Sequence, residues 1–262
     1  MKYFALISLA LINSVLSFIP QFSGKSLQTF EPFYDDDQSK TVIFHTAVFN
    51  QVPNYVYSEL ISKLNEENLK VVIPGNKLKF KNLEDDLTVV GHSSGAISAI
   101  NNCKNKKVKK LILIDPIDNR GLNKEEDEDE LIELNNLDQL LLLYTKKSYD
   151  WSVIPFSFPF VPEKYSLKPK DIYLGNKNTD KKIIEISKYG HGDVLNKGWA
   201  DLLHNTIAKG KDERDDIYKY HKWISYVVKK ISFNEEEELN NINSKFKYFK
   251  LKNKIINEDE EL

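Results

Sequence analysis

Gly91-His92-Ser93-Ser94-Gly95 is the stretch that decides the fold, because of what stands on either side of it. The apolar run 87–90 before it is typical of a buried strand, and 96–100 after it is typical of a helix. This context predicts a sharp turn that lifts the Ser93 hydroxyl off the end of a parallel sheet. Glycine is required at both ends of the motif because a Cβ there would collide with a neighbouring element. The helix N-terminus, with the Ser94 N–H, then faces any negative charge that develops at Ser93.

Short apolar runs recur along the rest of the chain and alternate with segments of helical spacing. The runs that predict buried strands lie at 41–45, 69–74, 87–90, 108–114, 140–144 and 182–186. Helical spacing of apolar residues occurs at 55–64, 96–101 and 215–233. This alternation predicts an α/β fold with a mostly parallel, doubly wound sheet that binds ligands at the carboxyl ends of its strands. Together with the serine turn, it is the pattern of the α/β-hydrolase fold.

The N-terminus is expected to lie outside this fold. Lys2 followed by the apolar run 4–12 has the layout of a secretory signal, with a small-residue cleavage site that ends at Ser17. The alternative is an uncleaved anchor at a membrane interface. The junction Ser17-Phe18-Ile19-Pro20 resembles that of plastid presequences in algae with complex plastids. We therefore expect entry into the secretory pathway, followed by secretion or, in such an alga, delivery to the plastid.

The chain therefore divides into four predicted segments. Residues 1–17 form the signal, and 18–40 form an irregular segment or targeting remnant. The hydrolase domain spans 41–233, and 234–262 form a tail in which acidic and basic residues are segregated. We expect the tail to be a loose charged helix or a disordered end that adds nothing to the core. The acidic run 125–130 predicts a solvated loop, with a lid as the alternative interpretation.

Composition narrows the classes of function. With 262 residues, 41% hydrophobic residues and 29% charged residues, the chain can form one soluble α/β domain. Its formal net charge of −2 provides no basic field to bind nucleic acid. The single cysteine excludes an internal disulfide.

A serine hydroxyl needs a base within hydrogen-bond reach to act as a nucleophile. Of the five histidines, His191 is the strongest candidate, because it lies in a glycine-flanked loop directly after the last predicted strand. His204 is the alternative base, and His45 ends a strand on the oxyanion side. His92 within the elbow and His221 in the closing helix are not expected to reach Ser93.

The base in turn needs a carboxylate to orient its ring and stabilise its cation. Asp115 and Asp118 follow the strand after the elbow helix, and Asp150 follows the next strand. All three preserve the chain order serine, acid, histidine, and their spacing alone does not choose among them.

Three motifs together resemble the chlorophyllase family of hydrolases. They are the elbow 91–96, the strand end Leu113-Ile114-Asp115-Pro116-Ile117-Asp118, and the loop Tyr189-Gly190-His191-Gly192-Asp193-Val194-Leu195. Platelet-activating-factor acetylhydrolases and lipases are more distantly similar. The resemblance covers roughly 41–195 and implies Ser93 as nucleophile, His191 as base and Asp115 as acid, with Asp118 as the near alternative. It implies no metal and no organic cofactor.

The sequence also departs from that family at its oxyanion loop. Family members carry His-Gly after the first core strand, where this chain has His45-Thr46-Ala47. The Ala47 N–H is still expected to pair with that of Ser94, and loss of one such donor costs about 3 kcal/mol of transition-state stabilisation. Ser94 and Ala96 replace an Arg and a Gly of the family motif, which affects substrate identity more than chemistry.

A stretch rich in aromatic and proline residues, 150–162, predicts a stiff extended loop past a strand end. Its two interpretations are packing on the core and an apolar wall beside Ser93 for a long alkyl chain or a flat macrocycle.

The sequence thus predicts a serine carboxylic-ester hydrolase whose leading substrate, by resemblance, is chlorophyll, cleaved to chlorophyllide and phytol. A lipase or general carboxylesterase is the alternative among enzymes, and a non-catalytic lipid- or pigment-binding protein is the alternative in another class. We expect the protein to bind a hydrophobic ester. Contact between the protein and a membrane surface is compatible with such a substrate.

Overall fold

The structure is a computed structural model. It describes residues 27–34, 38–47, 52–75, 78–117, 134, 136–145, 152–153, 158–159, 179–186, 188–206, 216–235, 239 and 249–252. The predicted signal 1–17, the acidic run 125–130 and the candidate acids Asp118 and Asp150 lie outside the described residues.

Six strands that run parallel form the centre of the sheet. They are β2 (Lys40–His45), β3 (Leu69–Ile73), β4 (Leu87–His92), β5 (Val108–Ile114), β6 (Gln139–Thr145) and β9 (Asp180–Ile186). Two edge strands, β1 (Gln28–Phe30) and β10 (Phe249–Lys252), pair antiparallel with β3 and β9. The spatial order is β1-β3-β2-β4-β5-β6-β9-β10. All six predicted strands are present, and the predicted α/β-hydrolase fold is confirmed.

Four helices accompany the sheet in the described part of the chain. They are α1 (Ser58–Glu66), α2 (Gly95–Asn102), α3 (Lys197–Thr206) and α4 (Ile217–Ser232). Short 3₁₀ turns lie at Asn54–Tyr57, Phe80–Asn82 and His191–Val194. Asp216 caps α4, because its side chain accepts a hydrogen bond from the Tyr218 N–H at 3.0 Å. None of the described helices is both long enough and apolar enough to span a membrane.

The core has two halves because successive strand side chains point to opposite faces of the sheet. In β2, Val42 and Phe44 pack with α1 and α4, whereas Ile43 packs with α2 on the other face. The central strands are therefore apolar on both faces, which is why they are readable as continuous apolar runs. Helices on both faces also confirm the doubly wound arrangement.

The tail differs from the prediction made for it. Residues 249–252 form β10 in the sheet, and Leu239 is fully buried in the core. Leu239 contradicts the expectation that 234–262 adds nothing to the core, and residues 249–252 extend the sheet. Likewise β1 lies within 18–40, which had been predicted to be irregular. Both edge strands are short, and edge strands need only one apolar face, so they lack the apolar run of a central strand.

The stretch 150–162 is described at only two places. Ser152–Val153 (β7) pairs antiparallel with Phe158–Pro159 (β8). These residues are extended, as the prolines predict, and the other residues of the stretch lie outside the described part.

Candidate active site

Ser93 occupies a strained turn between β4 and α2. Its φ is +57°, in the left-handed region that residues with a Cβ rarely adopt. A Cβ on Gly91 would lie 2.8 Å from the Ala96 Cα, and one on Gly95 would lie 2.4 Å from the carbonyl oxygen of Thr46. The predicted steric reason for both glycines is confirmed, and the second clash shows that the elbow packs directly on the loop after β2.

Backbone hydrogen bonds fix the elbow to the end of β5. The Ser93 N–H donates to the Ile114 carbonyl at 3.0 Å, and the Ile117 N–H donates to the Ser93 carbonyl at 3.2 Å. Since Asp115 lies between these two residues of the β5 end, the candidate nucleophile and the candidate acid are held by one local network.

The structure brings Ser93 and His191 into hydrogen-bond contact. The Oγ of Ser93 lies 2.9 Å from the Nε2 of His191, and the exposed fractions of the two residues are 6% and 7%. His191 begins the 3₁₀ turn that follows β9, at the same sheet edge as the elbow. This is the contact that a serine nucleophile and its base require.

The turn that carries His191 is held from several sides. Asp193 closes it, because its carboxylate accepts from the Gly190 N–H at 2.8 Å. The Nε2 of His221 in α4 lies 3.0 Å from the Asp193 carbonyl, and the Nε2 of His92 lies 3.1 Å from the His191 carbonyl. Two of these groups, the imidazoles of His221 and His92, belong to distant parts of the chain, so the position of the base depends on tertiary packing.

Burial sets the charge of His191. Desolvation lowers the pKa of its imidazole from 6.5 to about 4, because the buried site disfavours the charged form. The ring is therefore neutral at pH 7, and its Nε2 can accept the proton of Ser93.

Asp115 is the candidate acid that the structure describes, and it lies beside the imidazole. Its Oδ2 is 3.8 Å from the Nδ1 of His191, which is ion-pair distance but too long for a hydrogen bond. The carboxylate accepts from the Thr145 N–H at 2.6 Å and also binds the Thr145 hydroxyl. The Nδ1 of His191 is buried and makes no hydrogen bond to any residue in the described part of the chain.

The register of the parallel strands explains why Ser93, Asp115 and His191 lie close together. Ile114, the last residue of β5, is paired with His92 of β4 and with Leu143 of β6. Thr145 at the end of β6 is paired with Ile186 at the end of β9. Residues that directly follow these strands therefore converge at one edge of the sheet.

The two N–H groups predicted to bind the oxyanion, those of Ser94 and Ala47, have different surroundings. Ser94 is the N-cap of α2, directly after Ser93. The Ala47 N–H donates to the hydroxyl of Tyr57 at 3.0 Å. The departure at Thr46 is accommodated, because its side chain is buried and its hydroxyl donates to the Val52 carbonyl at 3.0 Å. The oxyanion roles of Ala47 and Ser94 stay predictions.

The other histidines have other contacts. The Nε2 of His45 lies 2.7 Å from the Nδ2 of Asn102. The Nε2 of His221 contacts the backbone carbonyl of Asp193 in the turn that carries His191. The ring of His92 lies 4.9 Å from that of His191. The side chain of His204 lies outside the described part. Within the described residues, no group of three or more His, Cys, Asp and Glu side chains is arranged to hold a metal ion.

Three residues of the site were not predicted from the sequence. They are Thr145, which holds Asp115, and Tyr57 and His92, which hold the loops on either side of Ser93. Thr145 directly follows the predicted strand 140–144, so the strand-end rule could have found it. For Tyr57 and His92 the sequence carries no such signal, because their partners are distant in the chain.

No protein-family model matches this sequence, and no curated protein matches it. Solved structures do match its fold. The esterase domain of a Rhodothermus marinus protein is 10% identical, with 78% of this chain and 99% of that chain covered and a TM-score of 0.43. The esterase Est1E from Butyrivibrio proteoclasticus, solved with ferulic acid bound, is 12% identical, with 81% and 95% covered and a TM-score of 0.46.

An S-formylglutathione hydrolase from Agrobacterium tumefaciens is 11% identical, with 76% of this chain and 88% of that chain covered and a TM-score of 0.43. At identities this low the similarity is one of fold, and a fold carries many functions. The resemblance to chlorophyllases stays a prediction.

Proposed function

We propose that the protein is a serine hydrolase that cleaves carboxylic esters through an acyl-enzyme. The observation that carries this proposal is the 2.9 Å contact between the Ser93 hydroxyl and the His191 imidazole, with Ser93 at a positive φ. A strained serine of this kind, with a neutral imidazole as its acceptor, is the arrangement that activates a hydroxyl for attack.

In the first half of the reaction, the Nε2 of His191 takes the Ser93 proton while Oγ forms a bond to the ester carbonyl carbon. The carbonyl oxygen becomes an oxyanion, which the Ser94 N–H and the dipole of α2 stabilise. The intermediate collapses, the bond to the alkoxy oxygen breaks, and the leaving alkoxide takes the proton from His191. The alcohol departs and the acyl group stays on Ser93.

In the second half, His191 takes a proton from water, whose oxygen attacks the acyl carbon. The Ser93–acyl bond breaks, Ser93 regains a proton from His191, and the acid is released. Burial disfavours the imidazolium in both halves, as the lowered pKa of His191 shows. The Asp115 carboxylate, 3.8 Å from Nδ1, offsets that cost because its charge opposes that of the imidazolium.

For the substrate, we propose a hydrophobic ester, with chlorophyll as the leading candidate and contact with a membrane surface as a consequence. The chlorophyllase-like loop 189–195 supports this, as does the apolar stretch 150–162. The N-terminal signal supports a location in the secretory pathway or, in an alga with a complex plastid, in the plastid. A lipase or general carboxylesterase and a non-catalytic binder are the competing outcomes.

The test is to incubate the purified protein with chlorophyll, a triglyceride and a short p-nitrophenyl ester, with Ser93→Ala as the control. Hydrolysis of at least one ester that is lost in Ser93→Ala is the expected result. Release of chlorophyllide supports the finer proposal, whereas cleavage of only the triglyceride or the short ester replaces it with the lipase or carboxylesterase. No hydrolysis of any ester by the unaltered protein would contradict the proposed function.

A further inference from the structure

A chain of buried hydrogen bonds connects the loop after β2 with the turn that carries His191. The Ala47 N–H donates to the Tyr57 hydroxyl at 3.0 Å, and that hydroxyl lies 2.8 Å from the Nδ1 of His92. The Nε2 of His92 lies 3.1 Å from the carbonyl oxygen of His191. The first contact holds the loop after β2, and the last holds the turn after β9.

The partners fix the direction of every bond in this chain. A carbonyl oxygen only accepts, so the Nε2 of His92 carries the proton and donates to His191. The Nδ1 of a neutral ring is then an acceptor, so the Tyr57 hydroxyl donates to it. The Tyr57 oxygen, in turn, accepts from Ala47. Each of these groups has one matched partner when His92 is neutral.

Because this chain of hydrogen bonds is buried, the loss of any one of its groups is costly. The exposed fractions of Tyr57 and His92 are 0% and 1%, so water cannot readily replace a partner that is removed. Burial and the nearby His191 both lower the pKa of His92, which keeps the ring neutral. A neutral ring is also what the reaction needs there, because His191 becomes a cation only 4.9 Å away.

We propose that Tyr57 and His92 are positioning residues of the ester hydrolase, which hold the Ala47 loop and the His191 turn at fixed distances from Ser93. The proposal rests on the proposed function. Neither residue contacts the Ser93–His191 pair through a reacting atom. Both act through backbone groups of residues that do the chemistry or lie beside it.

The test is Tyr57→Phe, which removes one hydroxyl and keeps the ring. We expect kcat for a short p-nitrophenyl ester to fall about tenfold, the effect of one lost hydrogen bond at a preorganised site, with KM within about twofold of the original. Active sites are counted by titration with a fluorophosphonate, so kcat refers to folded, competent protein. Tyr55→Phe is the matched control, because Tyr55 lies in the same 3₁₀ turn and is exposed.

His92→Leu shows whether the two residues act as one chain. Leucine has a similar volume but carries neither the donor for the His191 carbonyl nor the acceptor for the Tyr57 hydroxyl, so both of these hydrogen bonds are already lost. We therefore expect Tyr57→Phe to have no further effect on kcat, beyond about twofold, in the His92→Leu background. A kcat in the double variant that falls by the product of the two single effects would overturn the proposal. His92→Leu alone serves as the test if Tyr57→Phe does not fold, with unchanged kcat per site overturning it.

Two other results would also overturn the proposal. If Tyr57→Phe lowers the melting temperature but leaves kcat per titrated site unchanged, Tyr57 only stabilises the fold. If kcat rises, the Tyr57 hydroxyl competes for the Ala47 amide. An unaltered protein that neither hydrolyses an ester nor reacts with the fluorophosphonate would instead refute the proposed function.

Discussion

In the proposed reaction, His191 gains a proton at a position where burial disfavours the charged imidazolium. Its pKa is lowered to about 4 by desolvation, and its Nδ1 has no hydrogen-bond partner among the described residues. The opposing influence is the Asp115 carboxylate at 3.8 Å, which Thr145 holds in place. At the scale of single residues, the Asp115 carboxylate is therefore the charge that we expect to stabilise the imidazolium.

Asp115→Asn removes that charge and keeps the size of the side chain. We expect kcat to fall by a factor on the order of 10³ to 10⁴, because the imidazolium loses its counter-charge. The measurement is kcat per fluorophosphonate-titrated site. Asp118→Asn and Asp150→Asn are the matched controls, and each should change kcat by less than about threefold. A collapse in either control with Asp115→Asn nearly unaffected would move the acid to that residue.

Some residues of the candidate site are predictable from the sequence, and others are not. The contact between Ser93 and His191 is predictable because each lies in the turn or loop that follows a predicted strand, and the ends of parallel strands meet at one edge of the sheet. The sequence does not choose the acid among three residues, since Asp115, Asp118 and Asp150 all follow predicted strands. Tyr57 and His92 are not predictable, because their roles depend on hydrogen bonds between segments far apart in the chain, whereas Thr145 follows a predicted strand and could have been found.

At the scale of elements, α2 is pressed against the loop after β2. A Cβ on Gly95 would meet two backbone carbonyl oxygens, those of Thr46 and His45, at 2.4 and 2.6 Å. Backbone atoms cannot turn aside as a flexible side chain does. The first turn of α2 therefore sets the position of the loop after β2 as well as that of Ser93.

Gly95→Ala should therefore destabilise the protein. We expect the free energy of unfolding to fall by about 1–3 kcal/mol, because the overlap exceeds the gain in helix propensity. Gly198→Ala in α3 is the matched control, since a Cβ there has no atom within 4 Å. The control should be neutral or more stable by about 0.5–1 kcal/mol. Urea unfolding measures both, and equal stabilities of Gly95→Ala and the unaltered protein would contradict the predicted clash.

The elements themselves were predicted unequally, for a physical reason. The six parallel strands are buried on both faces and are therefore continuous apolar runs. The strand β10 alternates Phe249 and Leu251 with lysines, and its surroundings are charged, so the tail is read as solvated. The helix α3 was not predicted because its apolar spacing is short and interrupted.

At the scale of the whole molecule, the fold buries several neutral imidazoles. Desolvation lowers the pKa of His191 and of His221 from 6.5 to about 4, and it also lowers that of His92. As the pH falls below 6.5, the unfolded chain binds protons at these rings and the folded chain does not. The unfolded state therefore binds more protons between pH 6.5 and about 4.

We accordingly expect the free energy of unfolding to fall as the pH falls through that window. Each ring contributes a slope of up to about 1.4 kcal/mol per pH unit, and the contribution is fully present above pH 6.5. Urea unfolding between pH 4.5 and 7.5 measures the slope. His221→Gln removes one of the three rings and should reduce the slope. A free energy of unfolding that stays constant from pH 7 to pH 5 would show that the rings are not buried in the neutral form.

If His191 activates Ser93, this serine reacts with a fluorophosphonate probe faster than any other hydroxyl of the protein. We expect the probe to label one site, which peptide mass spectrometry places at Ser93. Labelling should disappear in Ser93→Ala and become slower by a factor on the order of 10² or more in His191→Ala. Failure of the folded, unaltered protein to react, or labelling that persists in Ser93→Ala, would contradict the account.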